Sequence, residues 1–154
     1  MDRFLSNSIN NVDKKGRVSI PAPFRALLEK RKETQLYTLH SIDMPTIDAG
    51  GTDLLIAYET RMAELDPLTS EYDDLSFYYH GDSAWMKIDG DGRIVLSDTL
   101  REHTGITDKV AFVGRGTFFQ MWEPQKFANY RREARARILK MKQALVQRNL
   151  ETGA

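Results

Sequence analysis

Arg17 and Arg93 each close the same short arrangement, with an Asp four residues earlier, a Gly immediately before and an apolar-x-apolar run after. The first copy reads DKKGRVSIP from Asp13 to Pro21, and the second reads DGDGRIVLS from Asp89 to Ser97. An Asp-x-x-Gly unit makes a tight turn because the carboxylate accepts nearby backbone N–H groups and the Gly takes the positive φ that closes it. An Arg beside such a turn can simply pair with the Asp, a structural role. The same Arg can also be presented outward, where a guanidinium fork binds guanine O6 and N7 or grips a phosphate. Lys14 and Lys15 would add phosphate contacts in the first copy. Gly90 and Asp91 stand there in the second copy, which weakens its electrostatic contribution. On these residues alone both roles stay open.

Little else in the chain could do chemistry. His40, His80 and His103 lack the i, i+4 or His-x-His spacings that favour a metal. The stretch DGDGR resembles the opening of a calcium loop, but the twelfth position from Asp89 is Leu100, where a bidentate Glu is required. Gly114-Arg115-Gly116 has no third Gly at the dinucleotide spacing and reads as a hairpin turn. No Ser sits in a G-x-S-x-G elbow, and paired carboxylates occur only in an acidic connecting stretch. The absence of Cys excludes disulfides, thiolate metal sites and Cys nucleophiles. No catalytic set, metal or cofactor is expected, and the chain is not read as an enzyme.

The elements that must hold the two turns are themselves repeated. With Asp13 laid on Asp89, SINNVD falls on AWMKID, GRVSI on GRIVL and PAPFR on SDTLR, so that Arg25 matches Arg101. After a gap, LYTLH at 36–40 matches VAFVG at 110–114, and TID at 46–48 matches QMW at 120–122. Two copies at so long a period indicate a pseudo-symmetric pair rather than a solenoid. Each copy reads as strand, tight turn, strand, short helix, strand, turn, strand. Val18 and Ile20 alternate with Ser19 as in a half-buried strand. Pro21 starts a helix over Ala22 to Lys30; Ser97 caps its counterpart from about Asp98 to His103, which Gly105 stops. Between the copies a helix is expected from a cap at Thr52 to before Pro67, with Leu54, Leu55, Tyr58, Met62 and Leu65 near one face. The acidic stretch from Leu68 to Gly81 forms a second short helix. A tail helix is expected over Phe127 to Leu150, with Tyr130, Ala134, Ile138, Met141 and Leu145 in an apolar stripe for core or oligomer packing.

The 154 residues, 41% of them hydrophobic, suit one domain or two very small ones sharing a core. The N-terminus has no signal-peptide run and no stretch approaches the ~18 apolar residues of a membrane span, so a soluble cytoplasmic protein is expected. Formal charge is zero but unevenly spread. Residues 1–32 hold eight Lys/Arg against three Asp/Glu (+5), residues 33–84 hold one against eleven (−10), and residues 85–154 hold thirteen against eight (+5). Both Arg turns lie in the positive thirds. The tail helix could also meet an anionic membrane, but its stripe lacks Trp, and no membrane partner is expected.

DKKGRVSIPAPFR at 13–25, DGDGRIVL at 89–96 and FVGRGTFFQMW at 112–122 resemble the MraZ family of bacterial transcriptional regulators, within the wider AbrB/SpoVT swapped-hairpin superfamily. The resemblance runs from Phe4 to the region around Phe127. It implies an α+β fold in which two AbrB-like swapped-hairpin repeats form one β-barrel-like core with peripheral helices. The repeats would span residues 4–50 and 82–126, joined by a helical acidic connection at 51–81 and followed by a basic helix at 127–154. It implies a DNA-binding repressor of the division and cell-wall gene cluster, often autoregulatory, cytoplasmic and nucleoid-associated, that binds closely spaced promoter repeats as a ring-shaped homo-oligomer. The family's motif residues fall on Asp13 and Arg17 and on Asp89 and Arg93, and Lys15 and Gly16, then Gly92, match the intervening positions. Ser97 for the usual Pro, and Asp91, depart from the pattern. The alternatives are an oligomeric protein-binding scaffold and an antitoxin-like repressor, the latter disfavoured by the doubled cassette; no small-molecule substrate is implied.

Overall fold

A computed structural model of the chain describes residues 2–153, which fall into two compact units, residues 2–123 and the C-terminal segment from Pro124. In the first unit, the first copy supplies β1 (Asn7–Asn11), β2 (Arg17–Ser19), α1 (Ala22–Lys30), β3 (Gln35–His40) and β4 (Ile47–Gly50). The connection folds into α2 (Thr52–Met62) and α3 (Ser70–Ser76), which runs on into a single π-helical turn at Phe77–Gly81. The second copy supplies β5 (Ala84–Lys87), β6 (Arg93–Val95), α4 (Asp98–Thr104), β7 (Lys109–Gly114) and β8 (Phe119–Trp122).

The strands flanking each turn do not form a hairpin with one another, as the turn chemistry alone suggested. Every inter-copy pairing is reciprocal. β1 pairs with β7 and β5 with β3, while β2 pairs with β6 and β4 with β8, all antiparallel. The registers repeat as well. Asn11 faces Lys109 in one half, and the corresponding residues Lys87 and Gln35 face each other in the other half. Val18 pairs with Ile94 and Ile47 with Met121, each residue opposite its own counterpart, so a pseudo-twofold axis passes through both pairs. The result is an α+β unit with a six-stranded antiparallel sheet in the order β1-β7-β8-β4-β3-β5 and a separate two-stranded ribbon, β2-β6. The large sheet is open at β1 and β5, so the expected barrel-like core is not a closed barrel. Closure would require β1 to pair with β5, and each instead ends the ladder.

Period-two alternation explains how the ribbon attaches. Val18 and Ile20 on one strand, and Ile94 and Leu96 on the other, turn inward and are buried, whereas Ser19 and Val95 face out. Beneath them Phe4, Phe24 and Phe119 meet with ring centroids 5.1–5.3 Å apart. β3 is buried on both faces. Leu36 joins this main core, while Tyr37 and Leu39 pack with Leu54 and Tyr58 of α2. Burial pushes the Tyr37 and Tyr78 hydroxyls up to about 12, so both stay neutral donors, Tyr78 to the His40 carbonyl at 2.6 Å.

The helix ends follow their chemistry, with one correction. Ser97 caps α4, accepting from the Leu100 N–H at 3.1 Å, and Gly105 at φ +78° ends it. Thr52, expected as the α2 cap, is instead its first residue behind Gly51. The cap comes from far along the chain, because Glu33 accepts from the Thr52 backbone N–H at 2.9 Å and from its hydroxyl at 3.2 Å. The second unit is one helix, α5 (Pro124–Glu151). Ile138, Met141 and Leu145 of its stripe are exposed, so they do not contribute to a core as the periodicity allowed.

Ile94 is fully buried on the pseudo-axis, where little can collapse into a void. Ile94→Ala is expected to lower stability by about 2–5 kcal/mol, read from the urea midpoint, whereas Ser19→Ala should shift it by less than about 0.5 kcal/mol.

Candidate functional site

Each turn is built around one carboxylate. Asp13 Oδ1 accepts from the Lys15 and Arg17 N–H groups, both at 2.9 Å, and Oδ2 accepts from Arg17 Nε at 2.7 Å. The second turn repeats this geometry, with Asp89 Oδ1 taking the Asp91 and Arg93 N–H groups at 2.9 Å and Oδ2 taking Arg93 Nε at 3.0 Å. The backbone closes each loop through Asp13 N–H to the Arg17 carbonyl and Gly16 N–H to the Asp13 carbonyl, and likewise in the second copy. Gly16 and Gly92 sit at φ +80° and +75°, the left-handed region where a side chain is strained. The backbone hydrogen bond from the following Arg is the largest cause holding each carboxyl below its ordinary range. Both Asp residues therefore stay ionised and fix the Arg stems.

The turns also hold each other. The Gly92 carbonyl accepts from Ile20 N–H at 3.0 Å, and the Gly16 carbonyl from Leu96 N–H at 2.8 Å. The ribbon register sets Arg17 opposite Val95 and Arg93 opposite Ser19. Both arginines thus lie on the outward face as diagonal neighbours, about 7–8 Å apart. All eight residues expected to form the site, Asp13, Lys14, Lys15, Gly16, Arg17, Asp89, Gly92 and Arg93, belong to these two turns, and the fold brings them to one ribbon.

The turns differ in how much of the Arg fork is engaged. Asp13 takes only Nε of Arg17, and no described residue binds its terminal Nη groups. Arg93 is held twice, since its Nη2 also meets Asp91 at 3.2 Å. Arg25 crosses from α1 to donate to the Asp91 carbonyl at 3.0 Å, whereas its counterpart Arg101 turns back to the Thr107 carbonyl in its own copy. The second turn is consequently the more tied down.

The fold also brings together residues that spacing did not. The His40 and His103 rings lie 4.7 Å apart between centroids, one on β3 and the other on α4. Burial, and then His103, hold the His40 imidazole below its ordinary value against an opposing pull from Asp82. His80 pairs separately with Glu59 at 3.1 Å. Among the described residues no group of three or more His, Asp or Glu is placed to hold a metal ion, and no helix is long and apolar enough to cross a membrane.

Comparison with known proteins matches residues 82–149 to the family model described as "MraZ protein, putative antitoxin-like". Proteins named "Transcriptional regulator MraZ" resemble nearly the whole chain. The one from Rhizobium leguminosarum bv. trifolii is 43% identical over 88% of this chain and 93% of its own length. That of Xanthobacter autotrophicus is 42% identical over 96% of this chain and 94% of its own length. That of Methylocella silvestris is 42% identical over 97% and 91%.

Two outcomes follow from this geometry. A Cβ at Gly92 would collide with Arg25 Cδ, whereas one at Gly16 meets only ordinary contacts. Gly16→Ala should cost about 1–2 kcal/mol for its left-handed backbone; Gly92→Ala should cost more by about one hydrogen bond, and an Arg25→Ala background should abolish the difference in urea midpoints. Separately, His40 resists the proton that the unfolded chain accepts as pH falls through about 6.5. Stability should be fully present above that pH and decline below it, and His40→Gln should flatten the decline in a urea series from pH 8 to 5.

Proposed function

The chain belongs to the MraZ family, whose members are transcriptional regulators, and on that footing we propose that it is a sequence-specific DNA-binding repressor reading promoter DNA through the β2-β6 ribbon. The observation that carries this reading is the placement of Arg17 and Arg93 on one outward ribbon face, with their stems fixed by Asp13 and Asp89 and the Nη groups of Arg17 unclaimed. A two-stranded ribbon fits the major groove, and a guanidinium fork matches guanine O6 and N7. The diagonal spacing corresponds to about two base-pair steps of 3.4 Å. Lys14 and Lys15 flank Arg17 for phosphate contacts; Asp13, Gly16, Asp89 and Gly92 shape the turns rather than touch DNA. Asp91 both occupies part of the Arg93 fork and opposes phosphate, so Arg17 carries the larger share.

The reciprocal pairing of strands supports assigning residues 4–50 and 82–126 to two AbrB/SpoVT-like swapped-hairpin repeats, with the acidic connection at 51–81 between them and the basic helix beyond. One ribbon offers too few contacts for a useful site, because specific binding needs several phosphate and base contacts together. A ring-shaped homo-oligomer on tandem repeats solves this, since one docked subunit presents its neighbour to the next repeat at high effective concentration. The −10 stretch at 33–84 and the exposed stripe of α5 supply surfaces for subunit contact. The gene targets in this reading are the division and cell-wall cluster and the protein's own promoter, which places it in the cytoplasm at the nucleoid.

Fluorescence anisotropy with a duplex from upstream of its own gene, against a shuffled duplex at about 150 mM salt, tests this reading. Preference for the native duplex is expected. Arg17→Ala should lose about 1–3 kcal/mol of it, and Arg93→Ala should lose less. Lys14→Ala should weaken both duplexes alike and reduce the salt slope by about one. Equal weak binding to both duplexes would favour the protein-binding scaffold instead.

A further inference from the structure

We propose that Val95 is a specificity-determining residue that packs on the C5-methyl group of a pyrimidine next to the guanine addressed by Arg17. This inference rests on the ribbon being the DNA-reading surface. Val95 faces outward directly across from Arg17 in the ribbon register, and 60% of it is exposed. A single exposed apolar side chain is ordinary on a protein surface; the position of this one is what matters. Its Cγ1 lies 4.0 Å from where a Cβ on Gly16 would stand, so its methyls project beside the first turn, next to the Arg whose Nη groups are unclaimed.

Facing residues on an antiparallel pair stand about 4.5–5.5 Å apart at Cβ, between one and two base-pair steps of about 3.4 Å. A fork on guanine therefore sets the Val95 methyls over the neighbouring base pair. In the major groove the one apolar feature of a base edge is the C5-methyl of thymine, and a methylated cytosine carries the same group at the same place. A β-branched side chain is suited to this contact because its χ1 is already restricted and little freedom is lost on docking. The second half of the ribbon differs. Arg93 faces Ser19, the counterpart of Val95, and Ser19 offers a hydroxyl that can bond to any base edge. The two halves therefore read different dinucleotides, with the methyl-dependent one at the Arg17 end.

The test uses the full-length protein and the native promoter duplex in anisotropy titrations at about 150 mM salt. Each thymine is replaced singly by deoxyuridine, which removes the methyl and nothing else. Each cytosine is replaced singly by 5-methylcytosine. Wild-type protein is expected to lose about fourfold in affinity, the worth of one buried methyl, at a thymine adjacent to a guanine. If the natural ligand is methylated cytosine, a gain of similar size appears at one cytosine instead. Val95→Ser and the near-isosteric Val95→Thr should retain the urea midpoint and oligomer mass, and Val95→Ser should bind thymine and deoxyuridine duplexes equally. A wild-type protein that prefers the native duplex yet shows no methyl dependence at any position overturns this inference and leaves the DNA-reading ribbon standing. A changed oligomer mass in Val95→Ser, with equal losses on methylated and unmethylated duplexes, overturns it in favour of a subunit contact. Failure to prefer the native duplex at all removes the proposed function with it.

Discussion

The pairing of Val18 with Ile94 is the contact on which the rest of the molecule depends. Because β2 bonds to β6 rather than to β1, the chain on either side of each turn diverges into a different ladder. No hairpin ladder continues from the turn, and the Asp carboxylate reinforces its two backbone hydrogen bonds by accepting from two further backbone N–H groups and the Arg Nε. The same side chain that closes the loop therefore also aims the guanidinium. The inward halves of β2 and β6 extend the constraint downward, since Val18, Ile20, Ile94 and Leu96 seat the ribbon on the aromatic cluster of Phe4, Phe24 and Phe119.

Pseudo-symmetry in the backbone does not carry over to charge. The matching hydrogen bonds of the two turns differ in length by at most about 0.3 Å, yet Asp91 claims one Nη group of Arg93, and Arg25 holds the Asp91 carbonyl. No described residue does the same at the first turn, because Arg101 bonds within its own copy. A duplicated scaffold thus presents one open and one restrained guanidinium. Duplication within a single chain is what allows this, since two identical chains would be bound to carry identical turns.

Much of this was legible in the sequence. The Asp-x-x-Gly-Arg cassettes, the helix beginning after Pro21, the Ser97 cap and the Gly105 stop are local chemistry, and local rules found them. What stayed hidden depended on residues far apart in the chain. The turn read as a hairpin because turn chemistry is the same whether the flanking strands pair with each other or with a distant copy. The cap of α2 read as Thr52 because its actual acceptor, Glu33, lies nineteen positions away. The approach of His40 to His103 has no periodic signal at all. The barrel-like core came with the family resemblance, whereas the sheet here ends at β1 and β5.

Reciprocal exchange has a further consequence, for how the protein is made. β1 cannot find its partner until β7 exists, and β2 must wait for β6, so nearly every ladder of the first copy waits for residues translated much later. Only β3 and β4 pair within the first copy. A nascent chain stalled before Asp89 would hold Val18 and Ile20 without Ile94, Leu96 and Phe119 to pack against, and sequence-distant pairing of this kind folds slowly. The molecule is therefore committed to folding after synthesis of its second copy rather than during the first. That gives the chain an interval in which a chaperone, or the matching strands of a neighbouring nascent chain, can compete for its unpaired edges.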